Sequence, residues 1–158
     1  MVSRKQSRGF SRSAVAVTAM AFVAVLGSGT AAHAGASCDI TGCSSSVNDT
    51  SLGATAFKNW CGSGSTGTLT ENSLTSCKSG DVAQATYYLS ANGGHTPYRE
   101  DWDTLRIDAG WCYKVRFIVD FGDDFNKTYD RRGKGAAYVK AANNADAHIL
   151  GQSTSSCP

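Results

Sequence analysis

The densest group of reactive side chains lies between Ala91 and Asp103 (ANGGHTPYREDWD). His95, Tyr98, Arg99, Glu100, Asp101 and Trp102 crowd into eight positions, after Gly93-Gly94 and around Pro97. An imidazole, a carboxylate and a guanidinium are the base, acid and anion clamp of a small ribonuclease-like hydrolase, and His95, Glu100 and Arg99 would fill those roles. Against that use, such a site must be held to about 0.5 Å, which strands achieve more readily than one Gly-rich loop. Tyr, Arg and Trp are also the types that dominate protein-binding hot spots. His95, Tyr98, Arg99 and Trp102 are therefore the candidates for contact with a partner. The plain alternative is a connection in which Trp102 packs on the core and the charges meet solvent.

Elsewhere the chemistry thins out. Asp120, Asp123 and Asp124 offer carboxylates, but their spacing lacks the alternating oxygen ligands and distal Glu of a calcium loop and reads as a hairpin turn. Cys38-x4-Cys43 has no second ligand pair behind it, so neither a metal nor any other cofactor is expected. There is no G-x-S-x-G, no H-E-x-x-H and no phosphate-binding Gly loop. His148 sits between Ala147 and Ile149 and alternates as a strand residue facing solvent.

Residues 1–34 read as a secretory signal. Arg4, Lys5, Arg8 and Arg12 precede a 13-residue apolar run, Ala14 to Leu26, and Ala32-His33-Ala34 supplies the small-x-small cleavage site. Removing that leader takes four basic residues and no acid, leaving 11 basic against 13 acidic side chains, a net −2. A mature chain of that charge lacks the basic footprint of a nucleic-acid or anionic-membrane binder, so neither is expected as a partner. The expected location is extracellular, and the expected partners are other secreted proteins.

Six cysteines remain after cleavage: Cys38, Cys43, Cys61, Cys77, Cys112 and Cys157. An even count in a small exported chain predicts three disulfides. Six cysteines allow 15 pairings; pairing in chain order, Cys38–Cys43, Cys61–Cys77 and Cys112–Cys157, is the expectation.

These groups must be positioned by short strands. Residues 35–66 are rich in Gly, Ser, Thr and Asn and read as a Cys-framed, loosely structured N-terminal arm. Within it, Leu52, Ala56, Phe57 and Trp60 share one helical face, with an extended segment as the competing reading. Residues 67–158 read as a β domain. Its strongest strand is Gly110 to Phe121, where Trp111, Tyr113, Val115, Phe117, Val119 and Phe121 alternate with polar residues and predict one buried face. Gly122-Asp123-Asp124 turns the chain and Phe125 to Asp130 returns as a hairpin. Six or seven short strands between Gly, Asn and Asp turns predict an all-β fold, a small antiparallel sandwich or barrel stapled by disulfides.

A secretory leader, an N-terminal segment framed by Cys38, Cys43 and Cys61, and one stapled β module resemble the small exported proteins of actinobacteria. In layout the chain is similar to the bridging subunit of secreted umbrella toxin particles. That resemblance implies a non-enzymatic adaptor that joins a lectin-like subunit to a large stalk, partly through an extended N-terminal arm. Secreted protease inhibitors share the compartment and the staples; for an inhibitor, Ala91 to Asp103 would be the reactive loop.

Overall fold

A computed structural model describes Cys38 and residues 42–158. The predicted leader, residues 1–34, and positions 35–37 and 39–41 of the expected arm lie outside the described residues. The described residues contain twelve strands and no helix, an all-β sandwich.

Five strands form one sheet: β1 (Ser45–Asn48), β7 (Gly94–His95), β9 (Cys112–Val119), β10 (Phe125–Asp130) and β12 (Ala145–Ser153). Their spatial order is β10-β9-β12-β1-β7, antiparallel except for the parallel pair β1–β12. The second sheet holds β2 (Ala54–Phe57), β3 (Leu69–Thr70), β6 (Thr86–Leu89), β8 (Thr104–Ile107) and β11 (Ala137–Lys140), in the order β3-β11-β8-β2-β6. A small hairpin, β4 (Lys78–Ser79) and β5 (Val82–Ala83), stands apart from both.

The two sheets share one core. Tyr113, Val115 and Phe117 of β9 and Ala147 and Ile149 of β12 join Ala54, Ala56, Leu89, Leu105, Ile107 and Val139 of the other sheet. Alternation explains the choice of face: Lys114 and Arg116 point the other way from their buried neighbours on β9. The hairpin after β9 forms where expected, with β10 returning as Phe125–Asp130. All three disulfides form in chain order, Cys38–Cys43, Cys61–Cys77 and Cys112–Cys157, and they indicate an oxidising compartment.

Three expectations need correction. Ala54–Phe57 is not helical but forms β2, an interior strand between β8 and β6. Its local helical stripe loses to the alternation of buried Ala54 and Ala56 around Thr55. The arm is accordingly shorter than residues 35–66, because β1 and β2 both pair within the sandwich. Finally, Phe121 does not continue the buried stripe. β9 ends at Val119, and Phe121 lies in the turn at φ 59° with its ring fully exposed.

β1 is fastened across the sandwich by Asn48, whose side chain is wholly buried. Its Nδ2 donates to the carbonyls of Leu52 and Ser90, and its Oδ1 accepts from the Thr50 amide at 3.2 Å and hydroxyl at 2.8 Å. Asn48→Ala is expected to cost about 2–3 kcal/mol in urea unfolding, because it strands several buried polar groups at once. A change below about 0.5 kcal/mol would remove Asn48 from that structural role.

Candidate functional site

Three of the four predicted contact residues lie together. His95, Tyr98 and Arg99 line an open groove of about 940 Å³, which Gly42, Cys43 and Ser45 border from the start of the described chain and Asp120 and Asp146 from the other side. β7 positions His95 by pairing with β1, and Thr96 extends that contact. The Thr96 amide donates to the Ser46 carbonyl at 3.0 Å, and the Ser46 amide donates to Thr96 Oγ1 at 3.1 Å. Further along, the Trp102 amide donates to the Ser44 carbonyl at 3.0 Å. The segment is thus anchored at one end on β1 and at the other on Ser44 just before it, with Pro97 to Glu100 spanning the gap.

Its apex is shaped by an unusual backbone. Arg99 adopts φ 63°, a left-handed conformation that a long side chain rarely occupies. Tyr98 stands 81% exposed beside it, its ring 4.3 Å from that of His95 at a 41° tilt. The Arg99 carbonyl accepts the Cys38 amide at 3.2 Å. That bond ties the apex to the Cys38–Cys43 bridge.

Trp102 is the exception among the candidates. It is 4% exposed and belongs to the core, not to a contact surface. The Lys58 ammonium lies 4.8 Å from its ring centroid, and Tyr87 packs against it edge-on at 5.5 Å.

Two of the hydrolase trio are engaged otherwise. His95 Nδ1 donates to the Thr96 carbonyl at 2.8 Å, and Glu100 accepts from Lys58 Nζ at 2.8 Å. In the Asp120–Asp124 turn, Asp124 is likewise engaged: it accepts from Arg116 Nη2 at 2.7 Å and from the Val119 amide at 3.1 Å. These bonds hold the Asp124 carboxyl below its usual range, the Arg116 contact most of all. His148 is partly exposed in β12, as its alternation predicts, and its Nδ1 lies 3.0 Å from Asp49.

Sequence reading missed the pair beneath the loop. Asp101 and Asp103 look like solvated charges, yet each is only 1% exposed. Ser44 Oγ lies 2.7 Å from Asp101 Oδ1 and 3.2 Å from Asp103 Oδ1. Burial raises both carboxyls, and for Asp103, with the Asp101 charge adding to it, up to about 7. The signal that was available is spacing: residues 101 and 103 precede β8 at period two and so turn the same way.

Comparison of the chain with protein families, with curated proteins and with solved structures returns no match.

Proposed function

We propose that this chain is a secreted, non-enzymatic protein-binding module, an adaptor subunit of an extracellular assembly of the toxin-particle kind. Phe121 carries the reading. It is a large apolar side chain, 101% exposed, held at φ 59° on a hairpin tip whose neighbour Asp120 lines the groove. A bulky residue in that conformation is strained by roughly 1–2 kcal/mol, and its exposed ring gains nothing in the free protein. Both costs are explained if a partner covers the ring. Tyr98, which lines the same groove as Asp120, offers a second aromatic of the type that anchors interfaces.

The test separates binding from folding. Phe121→Gly is expected to leave stability unchanged or raise it by at most about 1 kcal/mol, since glycine accepts positive φ freely. The same substitution, combined with Tyr98→Ala, is expected to reduce recovery of co-purifying protein at least tenfold when the chain is captured from culture supernatant by a tag after Pro158. Recovery of the unsubstituted chain alone, at its monomer mass, would overturn the adaptor reading.

A second reading, a protease inhibitor, has one observation in its favour. The loop is anchored on Ser44 and Ser46 at its two ends and presents Tyr98-Arg99 outward. Inhibition of a subtilisin-like protease that disappears in Arg99→Gly would favour it over the adaptor.

A further inference from the structure

The contact between Ser44 and the two buried carboxyls has a proton count that limits what state the cluster can adopt. A serine hydroxyl donates once, and an ionised carboxylate only accepts. Asp101 already receives the Ser44 amide at 2.8 Å, the Ser44 hydroxyl at 2.7 Å and Asn143 Nδ2 at 3.2 Å. Ser44 Oγ therefore has no hydrogen left for Asp103 Oδ1, although the two oxygens stand 3.2 Å apart. With both carboxyls ionised, that contact joins lone pairs in a site shut off from water. With Asp103 protonated, it becomes a donation, and a chain runs from Asp103 O–H to Ser44 O–H to Asp101.

We propose that Asp103 and Asp101 hold one carboxyl proton between them across the Ser44 hydroxyl, and that this proton latches the groove-forming loop to the start of β1. The charged groups facing the pair are engaged elsewhere. Lys58, at the end of β2, pairs with Glu100 at 2.8 Å; Lys140, on β11, donates to the Gly64 carbonyl at 2.9 Å. Lys58 still attracts Asp101, and Lys140 and the Trp60 amide favour the Asp103 carboxylate, but burial and the Asp101 charge outweigh them at Asp103, so the shared proton is what relieves the repulsion between the two carboxyls.

The latch joins three separate parts of the chain. Ser44 follows Cys43 directly, Asp101 and Asp103 flank Trp102, and Asn143 belongs to the turn between β11 and β12. Losing the proton places two like charges in a dry site and strains the Trp102–Ser44 joint that fastens the loop. Because the folded carboxyl binds its proton more tightly than the unfolded one, the stabilisation is complete below about pH 4 and is lost as pH rises through about 7. Below that, the groove is held; above it, Tyr98 and Arg99 gain freedom. That this tunes partner binding rests on the protein-binding reading, whereas the latch itself does not.

Carbon NMR of the aspartate carboxyls in the full chain tests the proton directly. One signal, assigned to Asp103, is expected to titrate near pH 7 instead of near 4. Titration of both carboxyls below pH 5 would overturn the proposal without recourse to any variant. Asp103→Asn supplies a permanent donor in place of the proton. At pH 8.5 it is expected to slow exchange of the Trp102 amide at least tenfold relative to the unsubstituted chain. Equal exchange in the two chains, with both folded, would also overturn the latch. A confirmed titration alongside a chain that captures no partner would leave the latch standing and remove the adaptor reading alone.

Discussion

Phe117→Ala is expected to lower the stability of the sandwich by about 3–5 kcal/mol, the range for truncating a fully buried phenylalanine. Phe117 has no solvent exposure, and it lies on β9, beside the central strand of its sheet. Its ring stacks on Phe125 of the neighbouring strand at 4.9 Å between centroids. Losing it opens a cavity between the sheets and deprives Phe125 of its cover. Domains of this kind hold about 5–15 kcal/mol in all, so the variant should sit near its folding limit. Urea unfolding followed by tryptophan fluorescence checks this. Phe117→Leu, which keeps most of the volume, should cost less than half as much; equal losses would show that packing at this point does not depend on the ring.

Opening the Cys112–Cys157 bridge, as Cys112→Ala with Cys157→Ser, is expected to cost about 4 kcal/mol. The chain-entropy account ties that figure to the 45 residues the bridge closes. By the same relation Cys61–Cys77, closing 16, is worth about 3 kcal/mol, and Cys38–Cys43, closing five, about 2. The ranking is the sharper test. Thermal unfolding of the three bridge-deleted chains should order them by loop length. A deletion of Cys38–Cys43 as harmful as that of Cys112–Cys157 would mean that the bridges act through native contacts instead.

What could be read in the sequence was governed by period and by redox chemistry. Tyr113, Val115 and Phe117 alternate with Lys114 and Arg116, so the orientation of β9 was legible from residue types alone. Pairing of the cysteines in chain order also matched. Ala54–Phe57 was harder, because four residues of Ala, Thr and Phe suit a helix turn and a strand about equally. Only the strands on either side, β8 and β6, decide between them. Phe121 escaped for the opposite reason: its place in the pattern was sound, but the turn begins one residue earlier. The groove was half legible. His95, Tyr98 and Arg99 are neighbours in sequence and stay neighbours in space, whereas Asp120 and Asp146 arrive from strand ends far along the chain. The burial of Asp101 and Asp103 depends on Ser44, 57 and 59 residues away, and no local pattern announces such a partner.

The parallel pair β1–β12 bears on the order in which the molecule can be assembled. Ser45 pairs with Asp146, 101 residues later, and β12 is the middle strand of its sheet. Until β12 is in place, β1 has only the short strand β7 beside it in the sheet. The final strand is what joins β9 to β1. A chain cut before Ala145 does not lose a dispensable edge; it keeps two fragments of a sheet with nothing to join them.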